Sequence, residues 1–194
     1  MLKPRFLYSV TLAVAAAIAL SSCAGGTPTT EPTSSPAATT AAVFNDSDVT
    51  FAQMMLPHHE QSVEMSDDLL AKNDIDAEVR DLATAIKMAQ EPEIAQLRDS
   101  LTQWGAQEHS MGGMNDDSGG MMSSDDMADL QDAAGIEASK LFLVQMTAHH
   151  RGAIEMAQFE IDNGKNADAQ ALAATIVKIQ TDELATMADL LASL

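Results

Sequence analysis

From about Asp46 to the end of the chain, apolar residues recur at steps of three and four, the spacing of one face of an α-helix. No stretch alternates with the two-residue period of a strand. Asp46, Ser47 or Asp48 can cap a first helix reaching about Lys72, with Phe51, Met55, His58, Ser62, Met65 and Leu69 on one stripe. Asn73 and Asp74 break it. A second helix, near 76–104, carries Val79, Leu82, Ile86, Ile94, Leu97, Leu101 and Trp104. A third, near 136–163, carries Phe142, Met146, His149, Ala153 and Met156, and Asn163-Gly164 offers a left-handed stop. A fourth runs from about Asp168 to the C-terminus through Leu172, Ile176, Ile179, Leu184, Met187 and Leu191. The pattern predicts an all-α fold.

It is also written twice. Phe51-Ala52-Gln53-Met54-Met55-Leu56-Pro57-His58-His59, leading on to Val63-Glu64-Met65, returns 91 residues later. The second copy is Phe142-Leu143-Val144-Gln145-Met146-Thr147-Ala148-His149-His150, leading on to Ile154-Glu155-Met156. Gln90 and Glu93 on the second helix likewise match Gln180 and Glu183 on the fourth at a shift of 90. The unit is a duplicated helical hairpin of roughly 60 residues, and two such hairpins predict an antiparallel four-helix bundle over residues 45–194. In an up-down-up-down order the first and third helices run parallel across a diagonal of roughly 12–14 Å, with equivalent positions at similar heights. Pro57, which lacks a backbone donor, is expected to kink or restart the first helix.

Between the hairpins, residues 105–128 hold His109, Met111, Met114, Met121, Met122 and Met127 among glycines and acidic residues. That composition predicts no packed structure. Methionine outside a core is unusual, so these residues, with His109 and Trp104, form a second candidate cluster.

The other end of the chain changes the picture of where the bundle works. Lys3 and Arg5 precede an apolar run from Leu7 to Leu20, of signal-peptide length and short for a membrane span. Leu20-Ser21-Ser22-Cys23 resembles a lipobox, the processing and lipidation site of bacterial lipoproteins. It implies removal of residues 1–22, lipid on Cys23, and a protein anchored to the outer face of the cell membrane. Residues 23–44, rich in Thr, Pro and Ser, read as a disordered tether. Losing residues 1–22 removes two of ten basic residues and none of 29 acidic ones, leaving a net charge of −21. Such a chain has no electrostatic route to nucleic acid. With Cys23 lipidated, no thiolate remains for disulfides or zinc. Any metal ligand is then Met, His or carboxylate.

The chain has five His, and the repeated phrases hold four of them. Adjacent helical residues point about 100° apart, so His58 and His59 do not readily chelate one ion together. Met55 shares a face with either His of its copy, and Met146 with either of its own. The heptad places Met55, His58 and Met65 on the buried stripe with His59 at its edge. Thioether with imidazole and no thiolate suits Cu(I) or Ag(I). Ordinary imidazole is protonated below about pH 6.5, so His-based binding is expected to weaken there. Gln90, Glu93, Gln180 and Glu183 are placed either to satisfy core imidazoles or to orient ligating ones from behind.

The repeated Met/His-His/Ile-or-Val-Glu-Met phrase, with Gln-x2-Glu on the next helix, resembles the ferritin-like "domain of unknown function 305" family of exported bacterial proteins. The resemblance covers about residues 46–193. It implies a four-helix bundle and, for some members, copper binding. Carried onto this chain, the ligands it implies are Met55, His58, His59 and Met65, with Met146, His149, His150 and Met156. The expected function is copper sequestration, tolerance or transfer on the outer face of the membrane, without catalysis. One alternative is a structural or interaction bundle whose inward polar residues set register. Another is a ferritin-like metalloenzyme, but di-iron carboxylate sites need Glu-x-x-His pairs, and the chain contains none.

Overall fold

The computed structural model describes residues 43–108 and 119–194. The apolar N-terminal run, Cys23, most of the tether, His109, Met111 and Met114 lie outside the described residues. Within them the chain forms α1 (Asp46–Leu70), α2 (Ala77–Trp104), α3 (Ser124–Asp132), α4 (Gly135–Asn163) and α5 (Ala167–Ser193). There is no strand among the described residues, and no helix there is long and apolar enough to cross a membrane.

The four long helices are those the periodicity predicts, with ends set by local chemistry. The α1 cap is Asn45, whose side chain accepts from the amides of Ser47 and Asp48, while Asp48 accepts in return from the Asn45 amide. Asp48 therefore closes a capping box instead of opening the helix. Asp76 and Asn166 cap α2 and α5 through their side chains alone, each accepting from two amides of the first turn. The stop at Gly164 is extended (φ −67°), not left-handed. Glycine is needed there because a Cβ would collide with the Glu160 side chain. Helix α1 runs on through Pro57 without restarting.

The order of the bundle differs from up-down-up-down. The start of α1 meets the end of α4: Asn45 donates to the Asn163 carbonyl, and Asp48 accepts from the amides of Lys165 and Asn166. Farther along, Ser62 reaches Met146, and Ser139 near the start of α4 accepts from the Asp76 amide. Helices α1 and α4 are thus antiparallel and pack directly on each other, more extensively than α2 packs on α5. The cause is the connection between hairpins. It is long enough to run the length of the bundle and start α4 at the opposite end, so α2 and α4 run the same way.

That connection is also better packed than its composition suggests. Ser123 and Asp126 form a second capping box, and α3 buries Met127 and Leu130 against Met65, Phe142 and Leu143. Acidic residues on its outer face hide an apolar pair three apart on the inner one.

The core is divided. One apolar cluster holds Met65, Leu69, Ile86, Phe142, Met146 and Met187, with α3. The other holds Phe51, Met55, Ile94, Leu97, Ala153 and Ile176. Between them, at the middle of the bundle, lies a buried polar layer of His58, His59, Gln90, His149, His150 and Gln180.

Candidate metal centre

Each His pair is split by the helix itself. The first member of each copy faces across to the other hairpin, and the imidazoles of His58 and His149 meet with ring centroids 3.7 Å apart. The second member turns back to its own hairpin. His59 Nε2 bonds Glu93 at 2.8 Å, and His150 Nε2 bonds Glu183 at 2.7 Å. The repeated geometry places a pseudo-twofold between His58 and His149. Because the hairpins are antiparallel, only residues near that axis meet their own equivalents. Met55 and Met146 therefore lie on opposite sides of the imidazoles, one in each apolar cluster. A site spanning equivalent residues on parallel helices is not what the fold provides.

All four imidazoles are buried, His59 included, which is fully enclosed and not at the edge of the stripe. His58 Nε2 lies 2.9 Å from the Gly119 carbonyl, which only accepts, so that nitrogen carries the proton. The carboxylates of Glu93 and Glu183 fix the same tautomer on His59 and His150 when these rings are neutral. In all three rings Nδ1 is left with a lone pair, buried and without a partner. On His149 neither nitrogen has a partner. Burial, then the neighbouring His59, hold His58 down to about 3, despite the opposing carbonyl of Gly119. His149 is lowered well below the usual imidazole range by burial and then by His58, His150 and His59. These rings are neutral where free histidine would protonate.

An unsatisfied buried polar atom costs about 1–3 kcal/mol. The layer holds several, including the amide oxygens of Gln90 and Gln180. Glu93 and Glu183 do bond the imidazoles of His59 and His150, whereas Gln90 and Gln180 make no bond to an imidazole. Buried, unpartnered Nδ1 atoms on all four rings, with His58 and His149 held neutral, suit a cation that accepts imidazole nitrogen. Among the described residues no group of three or more His, Cys, Asp or Glu is arranged to hold a metal by itself. A complete donor set here draws on thioether sulfur.

Met55, Met65 and Met146 are fully buried, and the Met146 sulfur accepts from Ser62 Oγ at 3.4 Å. Met156 is only half-buried and faces a surface groove. Of the second candidate cluster, Met122 packs against the core, clamped by Gln61 through both its amide and its carbonyl, at 2.7 and 2.8 Å. Met121 is half-buried, and Trp104 stacks on Phe44 at 5.3 Å. None of these three is gathered into a separate site. The roof over the imidazoles is the Gly119–Gly120 strap, which lies so close on α4 that a Cβ at Gly152 would collide with Gly119. Gly119 and Gln61 are site residues that the stripe did not single out, and the glycine pair beside Met in an acidic loop is the one trace of the first.

The profile of a domain of unknown function, DUF305, matches residues 48–191. The chain belongs to that family. Solved structures agree. A DUF305 secreted protein from Streptomyces coelicolor is 34% identical, with TM-score 0.70, covering 76% of this chain and 91% of that one. A DUF305 fragment from Deinococcus radiodurans is 29% identical, with TM-score 0.71, covering 77% and 98%. CopM in its Cu(II)-bound form is 28% identical, with TM-score 0.66, covering 75% and 96%. CopM is also solved with Cu(I) and with Ag. No curated protein matches the chain.

Proposed function

We propose that this DUF305 protein binds copper as Cu(I) outside the cytoplasm and serves to sequester it or pass it on, with no catalytic step of its own. The observation that carries this reading is the buried imidazole layer. Three rings have their tautomer fixed from outside, all four leave Nδ1 unpartnered, and His149 has no partner at all. A purely structural polar core would satisfy those atoms. His58 and His149 would hold the ion, with His59 and His150 oriented by their glutamates and thioethers from Met55 and Met146 on either side. The copper- and silver-bound forms of CopM support the choice of a soft ion. The lipobox-like Leu20 to Cys23 supports a lipid tether at the outer face of the membrane.

The paired bonds of His59 to Glu93 and His150 to Glu183 favour a second reading, a structural bundle whose polar layer sets register. Anaerobic Cu(I) titration of the full chain against a chromogenic chelator separates the two. Copper binding predicts at least one ion held far more tightly than by free imidazole, lost when His58 and His149 are both changed to Leu. Equal weak binding by both proteins leaves the structural reading standing.

A further inference from the structure

The pseudo-twofold that relates the hairpins makes two equivalent grooves between α1 and α4, and the chain treats them differently. One is sealed by α3. Leu141, Phe142, Gln145, Met65 and Asp68 line it, and α3 fills it with Met127 and Leu130. Gln145 there donates to the Asp126 carbonyl, and Asp68 accepts from Gln131. Among the described residues the other groove is open, with a volume of about 330 Å³, and is lined by Thr50, Phe51, Met54, Glu155, Met156 and Phe159. At the 91-residue shift these positions correspond to Leu141, Phe142, Gln145, Glu64, Met65 and Asp68; Phe, Glu and Met recur, whereas Thr50 stands where the other copy has Leu141, Met54 where it has Gln145, and Phe159 where it has Asp68. The open groove therefore brings two thioethers to the surface where the sealed one has a single, enclosed Met65.

Those thioethers stand next to the imidazole layer. Met54 precedes His58 by four residues, one helical turn, on the same face of α1. The Met156 sulfur lies 3.8 Å from the point a Cβ on Gly119 would occupy, and the Gly119 carbonyl is the partner of His58 Nε2. Groove, Met156, Gly119, His58 and His149 follow one another without a gap. Burial leaves the imidazoles no direct contact with water, so an ion has to reach them through some face of the bundle. The equivalent groove at the other end of the α1–α4 pair is closed by α3.

We propose that the open groove is the access site: Met54 and Met156 take up a soft monovalent cation, Cu(I) or Ag(I), and hand it to His58 and His149. Two neutral sulfurs in an apolar groove discriminate against hard divalent ions, and the exposed carboxylate of Glu155 at the rim draws cations. Because thioethers hold the ion less tightly than a set completed by imidazole, transfer inward is downhill. The proposal rests on the reading of His58 and His149 as the holding site.

The test uses the metal-free full chain with its methionine methyl groups labelled by ¹³C, and Ag(I) as a probe that does not change oxidation state. In a His58→Leu, His149→Leu variant, one Ag(I) should still bind, at least tenfold more weakly than in the original protein, and should shift the Met54 and Met156 methyl signals together. In a Met54→Leu, Met156→Leu variant, which keeps the apolar volume, the weaker groove ion should be lost while loading of the tight Cu(I) from a chelator slows at least tenfold. Groove methyls that stay unmoved in the first variant, or loading at the original rate in the second, overturn the access site. Groove signals that shift while both His-containing and His-free proteins hold Ag(I) equally tightly support the groove and instead remove the imidazole holding site.

Discussion

The metal-free protein should be most stable near pH 6.5 and lose stability on both sides, because two sets of buried groups titrate in opposite directions. On the acid side the unfolded chain takes up protons on His58 from its ordinary 6.5 downward, whereas the folded chain resists until about 3. The unfolded state binds more protons in that window, so stability falls as pH falls. At pH 5, one and a half units below 6.5, the cost for His58 is about 2 kcal/mol. His149, lowered by the same burial, adds a loss of the same sign. On the alkaline side the group is Glu160. It is fully buried beside Asp48, and burial together with that carboxylate pushes it up to about 8. Burial works against the Asp48 charge, but amide hydrogen bonds from Asn166, Asn45 and Lys165 outweigh it and keep that carboxyl ionised. Glu160 therefore keeps a proton that the unfolded chain has already lost above 4.5, and stability declines as pH rises. From pH 6.5 to 8 the loss is about 1.5–2 kcal/mol.

Urea unfolding followed by helical circular dichroism at pH 5, 6.5 and 8, with chelator present, measures both limbs. Each loss corresponds to roughly 4–8 °C in thermal midpoint for a domain of this size. Glu160→Gln keeps a donor for Asp48 but cannot ionise, so it should flatten the alkaline limb. It also exposes the full acid limb, which Glu160 partly offsets between pH 5 and 6.5. Changing His58 and His149 to Leu should flatten the acid limb instead. A Glu160→Gln protein with unchanged stability from pH 6.5 to 5 would refute the claim that the central imidazoles are folded as neutral rings.

Because those rings are already neutral, copper stoichiometry should hold to about pH 5 and not fade near 6.5 as free imidazole would, which a chelator titration across that range checks. Glu93→Gln combined with Glu183→Gln replaces carboxylates that only accept with neutral amides that can also donate, so the His59 and His150 tautomers are no longer fixed, and should weaken copper binding about 10–100-fold with the fold intact by circular dichroism. Gly152→Ala drives a methyl group into the Gly119 backbone and should release the strap, read as faster amide hydrogen exchange over residues 119–123. Replacing His149 and Met146 with Leu should abolish the tightest copper site although the first repeat is intact; half the tight sites surviving at full affinity would mean that each hairpin binds its own ion.

What the sequence makes legible follows from which interactions are local. The four long helices are set by a three-four periodicity that each segment carries alone, and the duplication shows in residue identity. Burial of the inward positions follows from the same stripe: Val79, Leu82, Ala83, Ile86 and Gln90 recur buried as Ala169, Leu172, Ala173, Ile176 and Gln180. The order of the bundle is not local. It depends on whether the connecting segment turns back at once or runs the length of the bundle, and nothing in either hairpin encodes that. The misplaced diagonal site is its direct consequence, since reversing α4 leaves His58 opposite His149 but parts Met55 from Met146. Helix α3 escaped for another reason. Its two apolar residues are too few for a periodic signal, and only the groove they fill explains them.

Duplication alone would have given two equal faces and two equal grooves, with the imidazole layer shut between them. What departs from the repeat is what opens a path. The connection is used once, so α3 can cover only one groove, and its strap can place the Gly119 carbonyl on only one of the two central imidazoles. His149 is left without a partner on either nitrogen while its equivalent has one. The two central rings are thus alike in burial and unlike in restraint. Under the proposed reading the ring without a hydrogen bond is the less restrained donor, and the one held by Gly119 keeps its Nδ1 lone pair fixed as the other. The symmetric parts of the chain supply the bundle and the matched ligands, and the unrepeated segment supplies direction.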